Sequence, residues 1–401
     1  MGKIRHITLP AGFVAAGVKC GIKDSGNHDL AIIACENDAS AAVVTTRNQV
    51  IGAPVMYIRQ IMPRGYGKAR AMVINAGCSN VCTGKAGLKD AQTMAALVAK
   101  GLGSDANRVL VASTGIIGHR LPMSNVRKGI ANALDQLGTN NDEQVVKAIM
   151  TTDLREKTAV VRTRIAGKQV TISGIVKGSG MIAPSMATMI GVITTDLAVA
   201  PPALRKALVE ACHESFNAIT VDSDTSTSDT VAVFASGRAG NAPIKTTSPE
   251  MKKFCAVLGE VCGELARAVV ADGEGATKLV EVGVTGARNN TDARTAAMSV
   301  ANSPLFKCAM HGGDPNWGRI ASALGKSSAK VDPERLKITI GGVTIFSGGC
   351  GKKFNLKKVQ DHLKGAEIRV SCDLGLGKGS FTALTCDLSR EYIAINADYS
   401  T

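Results

Sequence analysis

Short apolar runs alternate along the chain with stretches whose apolar residues recur every three or four positions. KARAMVINAG (68–77) and NRVLVASTG (107–115) are continuous runs ending in glycine, the signature of buried strands. LKDAQTMAALVAKGLG (88–103) between them has helical spacing, and a second helix is expected from Ser124 as N-cap to about Leu137. AVVRTRIAG and KQVTISGIVKG (159–178) read as a hairpin. KGSGMIAPSMATMIGVITTD (177–196) reads as a Gly/Ser/Pro segment entering a β-branched strand. Two prolines open a helix over 201–216, TVAVFASG (230–237) is a strand, and a long helix spans about 249–271. KLVEVGVTG (278–286), LKITIGGVTIFSGG, a helix near 355–363 and AEIRVSCDLG come next. SFTALTCDL and YIAINADYS read as two closing strands. The mixture predicts an α/β or α+β fold with substantial sheet and helices to cover it.

The 401 residues suffice for one large domain or for two to three ordinary ones. Hydrophobic residues make up 45% but aromatics only 3%, so the core is expected from aliphatic side chains and close glycine backbones. The formal charge is +14, and the basic residues are dispersed in sequence; GKKFNLKK (351–358) is the longest basic stretch. A solvated basic surface accounts for this charge as well as an anionic partner does. A nucleic-acid binder would need a clustered patch and stacking aromatics, while a carboxylate substrate or an acidic cofactor such as coenzyme A would exploit the same field. The eleven cysteines form no CxxC pair and there is no HExxH. Buried thiols in a reducing compartment are expected, with no metal. The basic, apolar N-terminus is interrupted by Pro10, Gly12 and Gly17, and His6 stands where a myristoylation signal wants Ser or Thr. The expected location is the cytoplasm.

Several segments have chemical potential. In 177–196 the glycines permit unusual backbone angles, and small Ala187 precedes Thr188 at the mouth of a strand. A hydroxyl placed there can attack the preceding carbonyl, shift the acyl group from N to O and leave Thr188 as a new N-terminus. Its α-amine, with an unperturbed pKa of about 8, then serves as base for its own hydroxyl. By pattern alone the signal is weak, and an ordinary loop entering a strand explains Ala-Thr better. VDSDTSTSDT (221–230) lacks the Gly and distal Glu of an EF-hand and reads as a hydrogen-bonded turn around a site. DGEGATK (272–278) and LGLGKGS (374–380) fit no phosphate-loop pattern. Glu274 in the former could bind a substrate amine. Trp317, the sole tryptophan, reads as a core anchor.

KGSGMIAPSMATMIGVITTD resembles the self-cleavage segment of the ornithine acetyltransferase family, also called bifunctional glutamate N-acetyltransferase. NAGCSNVCTGKAGLKDA, ASTGIIG, TVDSDTSTSDT, DGEGATK, GGDPNWGRI and the terminal YIAINADYST recur in that family in the same order. Together they span about residues 8–401.

The resemblance implies a stacked αββα-type sandwich of the self-processing, N-terminal-nucleophile-like aminopeptidase kind. It implies cleavage between Ala187 and Thr188 into an α chain, 1–187, and a β chain, 188–401, assembled as an α2β2 heterotetramer. It implies a ping-pong reaction in which Thr188 takes acetyl from N-acetylornithine and passes it to glutamate, with no metal or cofactor. Some members also accept acetyl-CoA as donor. By match, Thr114 and Gly115 form the oxyanion hole, and the substrate contacts are Thr151 (preferred over Thr152), Lys177, Thr188, Glu274, Asn396 and Thr401. Lys177 suits a carboxylate and Glu274 the ornithine amine. Departures from the family pattern are Cys78, where Asn is common, Ser185 for Asn beside the cut, and Ser223 and Ser228 for Gly and Asn. Cys78 is expected to pack. The competing readings are an amidase or aminopeptidase with water as acceptor, and a basic binding or structural protein with a dead site.

Overall fold

The structure is a computed structural model and describes residues 6–183 and 189–398. Its first sheet is organised by one long strand, β2 (Leu30–Thr45), whose register breaks between Ala34 and Ala39. The first half of β2 pairs with β1 (Phe13–Val18), and the second half pairs with β8 (Thr230–Ala235). β3 (Tyr66–Cys78) pairs along both halves, and β4 (Val109–Ile116) lies parallel to it. Beyond β8 come β7 (Ile190–Thr195), β6 (Lys168–Lys177) and β5 (Thr158–Ile165), the last two being the expected hairpin.

The two wings of this sheet face each other. Ile33, Met72, Ile74 and Leu110 from one wing and Ile175, Val192 and Phe234 from the other share a single core. Successive strand residues point to opposite faces, so the alternate positions look outward. Ile32, Val73 and Val111 meet α2 (Gly84–Gly101) and α3 (Met123–Asp135). Ile172, Ile193 and Val231 meet α5 (Pro201–Glu214) and α6 (Met251–Ala271). The result is the expected helix–sheet–sheet–helix stack. Strands buried on both faces explain the near-continuous apolar runs in the sequence. Among the described residues a second sheet runs β12 (Cys350–Gly351), β11 (Val343–Ser347), β10 (Lys337–Ile340), β13 (Glu367–Asp373), β9 (Leu279–Ala287) and β14 (Gly379–Cys386), with β13 and β9 parallel at its centre. α7 (Asn290–Ala301), α8 (Pro304–Gly312), α9 (Trp317–Gly325) and α10 (Leu356–Leu363) supply the apolar residues packed with this sheet.

Three sequence readings need correction. The helix read from Ser124 begins at Met123, with Pro122 at the cap, and the Ser124 hydroxyl donates instead to the Asn125 side chain at 3.2 Å. Trp317 is 37% exposed; it packs on Phe346 with ring centroids 5.0 Å apart rather than anchoring the core. YIAINADYS is no strand: residues Arg390–Asp398 form a helix, α11, with none of its residues buried. Its alternating isoleucines have no core to face, since Ile393 is 65% exposed. Polar docking seats the helix instead, with the Ser389 hydroxyl just ahead of it donating to Gly275 O at 2.6 Å.

α4 (Asp142–Ile149) leads directly into Thr151 and Thr152, which form part of the wall of a cavity. Buried Asp142 accepts the His6 and Thr8 N–H groups at 2.9 Å each, fixing the start of the helix at its favourable positive end. A Cβ on Gly17 of β1 would overlap the Gln144 and Val145 backbone, so only glycine allows α4 to sit this close. Gly17→Ala is therefore expected to cost about 1–3 kcal/mol as overpacking against backbone, measured by urea unfolding. An unchanged midpoint would show that α4 has freedom to shift.

Candidate active site

One cavity gathers these residues from five parts of the chain: Thr114 and Gly115; Thr151 and Thr152; Lys177; Glu274; and Asn396. Every site residue expected from the sequence that falls within the described residues lines it. Ala187, Thr188 and Thr401, together with Ser185, lie outside the described residues.

Thr114 and Gly115 sit at the end of β4, where Gly77 of β3 pairs with Gly115. A Cβ on Gly115 would overlap the Gly77 backbone, and its φ of +121° belongs to glycine. The close approach turns the two strand ends together, and the Ser79 hydroxyl locks the turn by donating to Ile116 O at 2.8 Å. Cys78 packs beneath it in the α2–α3 core, as expected.

The opposite wall is fixed by a buried ion triad. The Lys157 ammonium donates to Asp153 Oδ1 at 2.7 Å and to Asp272 Oδ2 at 2.6 Å, and all three side chains are almost wholly enclosed. Each carboxylate also takes backbone N–H groups. Asp153 accepts from Thr151 at 2.9 Å and Gly178 at 2.7 Å, and Asp272 accepts from Leu154 at 3.0 Å and Arg155 at 3.2 Å. One triad thus ties the 151–155 loop to the end of β6, where Lys177 sits, and to the end of α6, where the Glu274 loop begins. The Thr152 and Ser179 hydroxyls share a further hydrogen bond at 2.7 Å.

Glu274 is held by its own N–H, which donates to Ser179 O at 2.9 Å. Its Oε2 accepts from Asn396 Nδ2 at 2.9 Å, and that same amide group donates to Tyr392 O inside α11. A Cβ on Gly180 would overlap the Glu274 carboxylate, so a side chain there would push the carboxylate from its place. Glu274 and Asn396 thus meet in the cavity, and the element carrying Asn396 is a helix and not the expected strand.

Segment 178–189 connects adjacent antiparallel strands, with Lys177 opposite Ile190. Both ends of the connection are pinned by carboxylates that sequence reasoning does not single out. Asp222 accepts the Met181 N–H at 2.6 Å and the Ile182 N–H at 2.8 Å. Met181 has φ +55°, a conformation an L side chain adopts at a cost of about 1–3 kcal/mol. On the far side, Asp229 Oδ1 accepts the Met189 N–H at 2.8 Å. Ser226, Thr227 and Ser228, from the expected hydrogen-bonded turn, line the cavity between these two carboxylates.

The charges are unusual for a buried site. Burial pushes the Lys177 ammonium below the ordinary lysine value; Asp153 opposes this, Lys157 reinforces it, and Glu274 and Asp229 oppose it. Its Nζ donates to Thr114 Oγ1 at 3.4 Å, linking the two walls. Burial also works against ionisation of Asp153, yet the Lys177 and Lys157 ammoniums and the Thr151 N–H outweigh it and hold the carboxyl at about 2. Burial lifts Asp222 to about 6 against the three backbone N–H groups it accepts, with Asp224 adding to the rise. Burial raises Asp229 well above the usual carboxylate range, while the Met189 N–H, Ser226 and Lys177 pull it back. A cavity with one ammonium, one carboxylate and a ring of hydroxyls can recognise a zwitterionic amino acid. Among the described residues no group of three or more His, Cys, Asp or Glu could hold a metal ion.

Lys157→Ala leaves two enclosed carboxylates facing each other and should destabilise the protein by about 3–5 kcal/mol. Because the folded carboxyl of Asp153 lies below its unfolded value of about 3.9, its contribution is complete above that pH and is lost as pH falls toward 2. Asp153→Asn should flatten stability against pH in that window, and an unaltered acid limb in urea titrations would contradict this. Gly180→Ala should displace the Glu274 carboxylate while leaving the fold intact. Steady-state kinetics should then show a raised KM for the amine-bearing substrate, and an unchanged KM would mean that Glu274 is free to move.

Comparisons with known proteins place this constellation in a family. The ArgJ family model matches residues 14–401. The arginine biosynthesis bifunctional protein ArgJ of Synechocystis is 43% identical over 99% of this chain and 98% of its own length. That of Gloeobacter violaceus is 44% identical over 98% of each. A crystal structure of the arginine biosynthesis bifunctional protein argJ from Bacillus halodurans is 40% identical; the match covers 51% of this chain and 97% of that one, with a TM-score of 0.50. With a buried acid–base cavity at the strand ends and similarity running nearly end to end, the chain belongs to the ArgJ family.

Proposed function

We propose that the chain cleaves itself before Thr188 and uses the freed threonine to move acetyl from N-acetylornithine to glutamate in arginine biosynthesis. The observation that carries this reading is the convergence of Thr114, Gly115, Thr151, Lys177, Glu274 and Asn396 on one cavity beside the 178–189 connection. The connection joins paired strands, so cutting it leaves both new ends tethered by the β6–β7 ladder. The two products would be an α chain, 1–187, and a β chain, 188–401.

The chemistry can be assigned by role. The Thr188 hydroxyl, deprotonated by its own α-amine, attacks the acetyl carbonyl. Thr114 and Gly115, at the turned strand end, are the donors for the oxyanion that develops there. Lys177 takes the substrate α-carboxylate and Glu274 the side-chain amine of ornithine, while Thr151, Asn396 and Thr401 complete the contacts. Ornithine leaves as the amine is protonated, and the acetyl-threonine ester is then attacked by the glutamate amine. No metal or cofactor enters this scheme. Relatives are named bifunctional, and acetyl-CoA is the second donor we propose for glutamate acetylation here. No helix of the described residues is long and apolar enough to cross a membrane. A cytoplasmic α2β2 assembly of the two fragments completes the proposal.

The test begins with a denaturing gel and N-terminal sequencing of the purified protein. A fragment beginning TMIGVITTD is expected, and Thr188→Ala should leave one uncut chain; a wild-type chain that stays whole would overturn the proposal. Glu274→Ala removes a charge-assisted contact worth about 1.5–3 kcal/mol. The KM for N-acetylornithine should rise roughly ten- to hundredfold, with turnover accelerated by glutamate. Turnover indifferent to glutamate would instead indicate a hydrolase.

A further inference from the structure

A second cavity, of about 780 Å³, is lined by five arginines, Arg47, Arg59, Arg64, Arg205 and Arg294, together with His213. They come from the end of β2, from α1 (Ala53–Ile61) and the turn after it, from α5 and from α7. No aspartate or glutamate lines the cavity, and among the described residues none of the five arginines forms an ion pair. The nearest acidic influence is Glu214, which is bonded to His213 at 2.8 Å and acts on Arg294 from the rim.

Three of the guanidiniums are held in place by backbone carbonyls rather than by counter-charges. Arg59 donates to Thr46 O at 2.6 Å, Arg205 to Val43 O at 2.7 Å and Arg294 to Asn217 O at 2.6 Å. Arg294 also lies over the Phe381 ring, 5.0 Å from its centroid. Like charges gathered this way repel unless an anion joins them, and a preset guanidinium fork matches phosphate oxygens in pairs. A single carboxylate is too small to engage five arginines around such a volume. We propose that this cleft binds a compound carrying two or more phosphate groups.

The cleft abuts the active site from behind. The Thr46 hydroxyl donates to Ser226 O at 2.6 Å, Asn48 Nδ2 donates to Thr225 O at 3.0 Å, and the Gly52 N–H donates to Thr227 O at 2.9 Å. The 225–228 loop therefore presents one side to the arginine-bearing segment and the other to the catalytic cavity. Two sources share this phosphate chemistry. One is a nucleoside polyphosphate acting on that loop. The other is the phosphorylated end of coenzyme A, an arm that rests on the acetyl-transfer reading.

The experiment is isothermal titration of the self-processed protein with inorganic pyrophosphate, ATP and coenzyme A at moderate ionic strength. The variant is Arg47→Ala/Arg64→Ala, because these two exposed arginines hold no backbone acceptor among the described residues and their loss leaves the fold intact. Saturable pyrophosphate binding is expected, weakened at least tenfold in the double variant and retained in Arg47→Lys/Arg64→Lys. Transfer from N-acetylornithine to glutamate should be unchanged throughout. Tighter binding of coenzyme A than of ATP assigns the donor source, and the reverse order assigns the nucleotide. Absence of saturable binding of all three anions would overturn the proposal, as would binding indifferent to the alanine variant. So would a change in assembly size in that variant, which would make the cleft an interface between copies.

Discussion

The site depends on one buried interaction, the Asp153–Lys157–Asp272 triad. Replacing such a triad with apolar side chains would often stabilise a protein, because desolvating three charges is costly. Its value here is positional. Two carboxylates share one ammonium and accept four backbone N–H groups besides, so three loops with no common secondary structure are held in fixed relation. Thr151, Lys177 and Glu274 take their places from that node.

The triad also shapes the electrostatics of the cavity. Lys177 is enclosed and, among the described residues, has no carboxylate of its own at hydrogen-bond distance; its ammonium reaches a threonine hydroxyl instead. Asp153 is already committed to Lys157, so Lys177 faces the cavity with charge to spare for a ligand carboxylate. Glu274 is bound by an amide rather than by a cation, which leaves its charge available for an amine. One paired charge set builds the walls, and a second, incompletely paired set faces the cavity. Asp222 and Asp229 extend the same logic to the 178–189 connection by holding backbone N–H groups on either side of it.

Much of this is legible in the sequence, for identifiable reasons. Strands buried on both faces leave unbroken apolar runs, so the strands are readable from KARAMVINAG, NRVLVASTG and TVAVFASG, while their stacking is implied only by the family resemblance. Glu274 stands out in a glycine-rich loop, whereas Thr114, Gly115 and Asn396 are reached only through the resemblance to the family's motifs. α11 reads wrongly as a strand because Ile393 and Ile395 imitate strand alternation; the helix is seated by polar contacts that hydropathy cannot register. Lys157 gives no signal, since its partners lie 4 and 115 residues away. The arginine cleft is hidden for the same reason. Its members are scattered from 47 to 294, and only the packing of α1, α5 and α7 about the end of β2 unites them.

The proposed chemistry stands or falls on whether Thr188 carries the acetyl group. Intact-mass measurement of the 188–401 fragment after mixing with N-acetylornithine, without glutamate, tests this most directly. The expected result is a gain of one acetyl group, located on Thr188 by peptide mapping and discharged when glutamate is added. A fragment whose mass never changes, or an acetyl group that glutamate does not remove, would contradict it.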